Sequence, residues 1–431
     1  MTREQKILEY HRGGKVSLGL PRPLKTVEDL CLAYTPGVAV AVKELARNPQ
    51  SAYDYSSKGN LVAVVSDGTA ILGLGDLGAL ASIPVMEGKA VLFKAFGDVN
   101  GWPVPLNHCR MGGQNTGRTD PQRVIDATMA IAPMFGGINL EDIAAPACFE
   151  IEDRLDAMLD IPVFHDDQWG TAVITLAGVR NYSKLCNRTM EELRIVINGA
   201  GAAGTRIRDM LKAAGVQQIT MCDSKGVIYT DRPGLDERRA GLAVGTSART
   251  VQEAMAGAHV FVGVSVADCI RPETILTMAD YPAVFAMSNP DPEVRPEAVA
   301  EVMGKRPYVM ATGRSDYPNQ VNNVLCFPFL FRGALDVGAR TINIDMKLAA
   351  SRALAEATQR PASPSVQEIY PRESLTFGSQ YIIPKPFDRE LFVEVAYAVA
   401  CAAVETGVAR KTVEDLPAIR AELERRNSDR G

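Results

Sequence analysis

Leu193-Arg-Ile-Val-Ile-Asn198 runs without a break into Gly199-Ala-Gly201-Ala-Ala-Gly204, and a proline-free stretch, Thr205–Ala214, follows. The first segment is rich in β-branched residues and reads as a buried strand. The second is a glycine turn, and the third has helical spacing and stops at Gly215. A strand that feeds GxGxxG into a helix aims the helix's free N–H groups at a pyrophosphate. The next strand, Gln218–Cys222, leads to Asp223, 19 residues past Gly204. That is where a carboxylate takes the hydroxyls of an adenosine ribose. Gly199, Gly201, Gly204 and Asp223 are therefore the expected dinucleotide contacts. A 2′-phosphate would be repelled by Asp223 but attracted by Lys225, two residues on, so the stretch supports both NAD and NADP and tips slightly towards NAD.

The alternation continues outward from this point. Val251–Ala256, His259–Val264, Pro272–Met278 and Val284–Met287 take turns as helix and strand, which argues for a parallel sheet covered by helices. Pro361-Ala-Ser-Pro364 reads as a linker or surface loop, and Leu391–Thr406 as an alanine-rich helix. Before residue 170, Leu61–Val65 and Ala90–Phe93 read as strands, with helices over Pro121–Ile131 and Glu150–Leu159. A second GxGxxG, Gly73-Leu-Gly75-Asp-Leu-Gly78, is read as a tight turn, because Pro84 and Gly88 interrupt the segment where its helix should run.

With 431 residues the chain has room for two or three domains. Hydrophobic residues make up 46% and charged residues 23%, an ordinary globular balance. The net charge of −5 argues against a nucleic-acid partner. No apolar run reaches the ~18–20 residues that a membrane span needs, so no membrane partner is expected. The first residues lack the apolar core of a secretion signal, so the cytoplasm is the expected compartment. None of the eight cysteines forms a CxxC pair, and neither a zinc site nor a disulfide framework is expected.

Two acidic pairs stand out. Glu141-Asp142 follows Phe135-Gly-Gly-Ile-Asn-Leu140, and Asp166-Asp167 lies in Phe164-His-Asp-Asp-Gln-Trp-Gly-Thr-Ala172. The second pair sits between an apolar run and a small-residue helix start, which points to a domain junction. Oxygen-only ligands select Mg²⁺ or Mn²⁺ over zinc.

Taken together the chain resembles the malic enzymes, in particular the short bacterial type. The likeness is carried by Ala33-Tyr-Thr-Pro-Gly-Val-Ala39, Ser57-Lys-Gly-Asn-Leu-Val-Ala-Val-Val-Ser-Asp-Gly68 and Pro84-Val-Met-Glu-Gly-Lys-Ala-Val-Leu-Phe-Lys94. It continues in Gly136–Asp142, Phe164–Gln168, Val196–Gly204, Ser288-Asn-Pro290, Ala311–Asn323 and Tyr381-Ile-Ile-Pro-Lys-Pro-Phe387. The resemblance implies an N-terminal α/β catalytic domain over residues 1–162. A Rossmann-like, doubly wound parallel-sheet domain would follow over 163–431, with a helical segment from about 361. It implies metal-dependent oxidative decarboxylation of malate, a small 2-hydroxy dicarboxylate, to pyruvate with reduction of NAD or NADP. Glu141, Asp142 and Asp167 match the metal ligands and Lys89 the base on the C2 hydroxyl. Tyr34 matches the acid that protonates the enol, and Asp166 an acid that assists the lysine. Asn289 and Asn323 match residues that hold substrate beside the nicotinamide. A homodimer or higher homo-oligomer is implied, with Tyr34 reaching a neighbouring subunit's site. The chain is expected to stop short of the further domain found in some longer members.

Three positions depart from the family pattern. Trp169 stands where histidine is usual, and either reshapes the pocket or packs at the junction. The segment Asn107–Gly117 is longer than usual and brings Arg110, with Arg118 just beyond; these either meet an extra anionic group on the substrate or belong to a solvated loop. Phe329 replaces a more usual glycine. The same chemistry on a malate analogue is therefore a second expectation, and a non-catalytic NAD-binding regulator on the same fold is a third.

Overall fold

The computed structural model describes residues 2–71, 74–112, 116 and 118–430. The chain divides into two compact units, Met1–Phe164 and His165–Gly431.

The first unit is built on strands β1 (Leu61–Ser66), β2 (Asn100–Pro105) and β3 (Gly137–Leu140). β1 pairs in parallel with both β2 and β3, and β4 (Val163–His165) lies beyond β3 in the order β2-β1-β3-β4. Between β1 and β2 the chain forms the long helix Ala79–Gly97. This overturns two expectations: Ala90–Phe93 is helical rather than a strand, and Pro84 and Gly88 do not interrupt the helix. The buried residues Ser82, Met86, Ala90, Phe93 and Gly97 recur at helical spacing along one face. Their burial outweighs the local cost of a proline, about 3 kcal/mol. The glycine turn before this helix is a close backbone approach: Gly78 N–H donates to the Gly68 carbonyl at 3.1 Å, and a Cβ on Gly68 would lie 2.4 Å from the Gly78 oxygen. Gly73 lies outside the described residues.

The second unit contains a six-stranded sheet in the order β10-β9-β8-β5-β6-β7. Its strands are β5 (Arg194–Asn198), β6 (Gln218–Asp223), β7 (Gly226–Val227), β8 (Val260–Gly263), β9 (Ala283–Ala286) and β10 (Val309–Thr312). All are parallel except β7, which pairs antiparallel with β6. From β5 the chain proceeds to β6 on one side, then returns to place β8 on the other. That reversal opens a crevice at the ends of β5 and β8, the place where doubly wound sheets bind ligands. The expected Rossmann-type architecture is thus observed. The segment Pro272–Met278, expected as a helix, forms a 3-10 helix over Pro272–Thr277.

The helix Asp166–Leu185 packs on the helices Ala202–Ala213 and Ile344–Ala357. The expected Ala172–Leu185 helix therefore begins six residues earlier, with the second acidic pair in its first turn. Two buried amides tie the C-terminal segment to this framework. Asn181 donates to the carbonyls of Ala355 and Ile382 at 3.0 and 2.9 Å, and Asn319 accepts from Ile382 N–H at 2.8 Å. Among the described residues no helix is long and apolar enough to cross a membrane.

The helices Phe327–Asp336 and Glu390–Glu405 approach closely at Gly333, where a Cβ would lie 2.3 Å from the Ala396 carbonyl oxygen. Gly333→Ala forces these helices apart. It is expected to cost about 1–3 kcal/mol, read as a lower urea midpoint with an unchanged m value.

Candidate functional site

β3 is buried along its whole length and delivers Glu141 and Asp142 to its C-terminal end. Glu141 N–H donates to the Val65 carbonyl at 2.9 Å, which fixes the residue to β1. Asp142 turns the chain with a left-handed φ of 52°. Each carboxylate oxygen of Glu141 has a partner: Lys89 Nζ at 2.8 Å on one and Asn139 Nδ2 at 3.0 Å on the other. The Lys89 and Glu141 side chains are 10% and 5% exposed, so this ion pair is shielded from water. The expected base and one expected metal ligand are therefore in direct contact. Sequence reasoning missed Asn139, although its alternation with Glu141 on one strand places both side chains on the same face.

β4 leads into the other acidic pair. Asp166 is fully buried at the start of its helix and accepts from Asn323 Nδ2 at 3.0 Å. Asn323 Oδ1 in turn accepts from Thr171 at 3.0 Å. Gly170 makes room for this arrangement, since a Cβ there would lie 2.2 Å from Asp166 Oδ1. Asp167 is 40% exposed, with His165 Nδ1 3.9 Å from its carboxylate. Neighbouring buried carboxylates such as those of Glu141 and Asp142 suit a hard divalent cation with oxygen ligands.

Trp169 is packed between cations. Lys347 Nζ lies 3.7 Å from its ring centroid and Arg206 Cζ 4.6 Å, while Arg206 Nε donates to Gln168 Oε1 at 3.0 Å. Phe329 is buried in the helix Phe327–Asp336.

The glycine turn at β5 fits a dinucleotide. A Cβ on Gly204 would lie 1.8 Å from the Gly199 oxygen, and one on Gly199 2.5 Å from the Val264 oxygen, so both must be glycine. A Cβ on Gly201 would meet nothing within 4 Å, leaving its backbone open to a ligand. Asp223 ends β6, but both its oxygens are engaged. Oδ1 accepts from Lys225 N–H and from Arg232 Nη1, each at 2.9 Å, and Oδ2 accepts from Arg232 Nη2. Burial pushes the Asp223 carboxyl up, but Arg232 and the Lys225 amide outweigh it and hold it below its ordinary value. On the far side of the crevice, buried Glu293 accepts from Ser265 N–H at 2.8 Å and from Ser288 N–H at 3.1 Å. It thereby fixes the backbone on either side of the cleft, next to Asn289. Burial raises the Glu293 pKa despite those bonds. Arg232 and Glu293 were not visible as site residues in the sequence, because neither lies in a motif.

Arg110 points inward. Its guanidinium contacts Asp67 Oδ2 at 2.9 Å, the Asp67 carbonyl at 2.5 Å and Asp76 Oδ1 at 2.7 Å. Thr69 and Thr119 hydroxyls complete the network on Asp67, each at 2.6 Å. The guanidinium is thus committed to internal carboxylates rather than to an extra anion, which corrects both readings given for it. Gly113–Asn115 and Gly117 of this segment lie outside the described residues.

Tyr34 caps the helix Val27–Ala33 and is 69% exposed. Around it in sequence Leu30, Leu32, Val38, Val40 and Val42 are exposed too, and the helices Val27–Ala33 and Val38–Arg47 bury no residue.

Comparison with known proteins gives a consistent picture. The family "Malic enzyme, N-terminal domain" matches residues 16–156, and "Malic enzyme, NAD binding domain" matches residues 169–376. The chain is 50% identical over 430 residues to the NADP-dependent malic enzyme of Halomonas elongata, covering 96% of this chain and 99% of that protein. It is 50% identical over 409 residues to the probable NADP-dependent malic enzyme of Rickettsia prowazekii, covering 94% of this chain and 52% of that protein. The chain thus spans about half the length of that relative and of several others. The crystal structure of malic enzyme from Pyrococcus horikoshii superposes with a TM-score of 0.85 at 39% identity, covering 100% of this chain and 99% of that one.

Arg110→Met leaves Asp67 and Asp76 buried without their cation. The expected result is a loss of about 3–5 kcal/mol of stability in urea denaturation. Unchanged stability with a weakened affinity for the substrate would instead restore a substrate-facing role.

Proposed function

The chain belongs to the malic enzyme family, and we propose that it oxidatively decarboxylates malate to pyruvate and CO₂ while reducing NAD or NADP. The observation that carries this reading is the buried contact of Lys89 with Glu141 beside Asp142, at the end of a strand. A lysine in its neutral form can take the hydroxyl proton of a bound hydroxy-acid.

Glu141, Asp142 and Asp167 would hold Mg²⁺ or Mn²⁺. When bound, that ion supplies a Lewis acid for the C2 oxygen and for the negative charge left as CO₂ departs. A nicotinamide dinucleotide, with its pyrophosphate at Gly199, Gly201 and Gly204 and its adenosine end near Asp223, would supply the hydride acceptor. Lys89 takes the proton of the C2 hydroxyl, and Asp166 assists it. Asn323, fixed by Asp166 and Thr171, and Asn289 hold the substrate. Tyr34 returns a proton to carbon.

Tyr34 is too exposed, at 69%, to act on a carbanion unless something covers it. A second copy of this chain is the proposed cover. The exposed apolar residues that flank Tyr34 support a homodimer in which Tyr34 completes a neighbour's site. Residues 1–162 and 163–431 are the proposed domains. A cytoplasmic location follows from the proposed substrates, malate and NAD(P), which are pooled inside cells. A malate analogue remains a second reading, but it now rests on Trp169, since Arg110 is spent internally.

With L-malate and Mn²⁺, reduced cofactor and pyruvate should form in equal amounts. Chelation should abolish turnover and Mn²⁺ should restore it. Lys89→Ala should lower kcat by about 10²–10⁴-fold with Mn²⁺ still bound. Turnover that survives chelation, or a Lys89→Ala variant as fast as the parent, would contradict the reading.

A further inference from the structure

The turn that carries Glu141 and Asp142 is braced by one buried hydroxyl. Thr69 Oγ1 accepts from the Ala144 N–H at 2.9 Å, two residues past Asp142, and donates to Asp67 Oδ1 at 2.6 Å. The next residue, Ala70, donates its N–H to the Asp142 carbonyl at 3.0 Å. Residues 69 and 70 therefore bond both ends of the stretch from Asp142 to Ala144. That stretch needs holding, because Asp142 has a left-handed φ of 52°. A residue other than glycine keeps such a conformation only where its surroundings enforce it.

Thr69 is itself fixed from behind. Asp67 is fully buried. Its Oδ1 also accepts from the Thr69 N–H at 3.2 Å, and its Oδ2 takes the Thr119 hydroxyl at 2.6 Å and the Arg110 guanidinium at 2.9 Å. Arg110 comes from the segment Asn107–Gly117, which departs from the family pattern. A chain of bonds thus runs inside the first unit from that segment to the acidic turn, through Arg110, Asp67, Thr69 and Ala144.

We propose that Thr69 is a positioning residue for the divalent cation. Through the backbone on either side of residue 143 it sets where the Glu141 and Asp142 carboxylates stand, and Asp67 and Arg110 hold it in place. The proposal rests on the metal reading above, and it gives the Asn107–Gly117 segment a part in the cation site without contact with substrate. Groups that orient a metal's ligands count: losing one weakens metal binding about 10–100-fold. Thr69 must donate to a carboxylate and accept from an amide at once. Threonine and serine can do both, and valine can do neither.

The test uses the full chain with Mn²⁺ alone as the probe, and free Mn²⁺ is read by electron paramagnetic resonance. Thr69→Val should weaken Mn²⁺ binding about 10-fold or more. Thr69→Ala removes the same hydroxyl with a smaller side chain and should do likewise, which covers the case in which the valine variant does not fold. Thr69→Ser keeps the hydroxyl and should bind Mn²⁺ as the parent does. Thr119→Val removes a bond of the same length to Asp67 but none to the acidic turn, and should cost less affinity than Thr69→Val. Parent-like affinity in a folded Thr69→Val or Thr69→Ala variant would overturn the proposal. So would an equal loss in Thr119→Val, which would mark a general loosening of the unit. A parent protein that binds no Mn²⁺ would overturn the metal reading and this inference together.

Discussion

Lys89 and Glu141 meet at 2.8 Å with little access to water, and the first unit is arranged around that contact. Burying either charge alone would be costly, so each must be delivered to the other by rigid elements. Lys89 comes from a helix whose buried face runs from Ser82 to Gly97. Glu141 comes from the end of a fully buried strand, with its amide bonded to β1. Asn139 takes the remaining Glu141 oxygen. The pair is thereby held in a setting with little water, where the attraction between the two charges is strongest.

The second unit solves a different problem. Its sheet opens a crevice at β5 and β8, and two glycines there are held by backbone oxygens at distances no side chain allows. Glu293 uses both its oxygens on backbone amides across the crevice, so a buried carboxylate acts here as a clamp rather than as a reagent. Asp223 is likewise locked, by Arg232. The Gly201 backbone, where a Cβ would meet nothing within 4 Å, stays open to a ligand.

Much of this was legible in the sequence, for specific reasons. The cofactor turn could be read because Gly199 and Gly204 obey local backbone constraints that no other residue satisfies. The acidic pairs could be read because they follow apolar strands. The helix Ala79–Gly97 could not, because Pro84 and Gly88 lower its local propensity and Ala90-Val-Leu-Phe93 looks like a strand; only tertiary burial of one face decides it. The pairing of Arg110 with Asp67 and Asp76, of Arg232 with Asp223, and of Trp169 with Lys347 joins residues that no single motif contains. Such contacts are fixed by packing, and a linear pattern holds no record of them. The separate roles of Lys89 and Glu141 were implied through family resemblance, but their pairing was not, since the two lie on different elements.

Glu141, Asp142 and Asp167 are proposed to hold one divalent cation. Titration of the full chain with Mn²⁺, followed by electron paramagnetic resonance, tests it most directly. One Mn²⁺ per chain is expected, lost in Glu141→Gln and in Asp167→Asn, with a spectrum that changes when malate is added. Binding that is absent, or that persists in both variants, would contradict it.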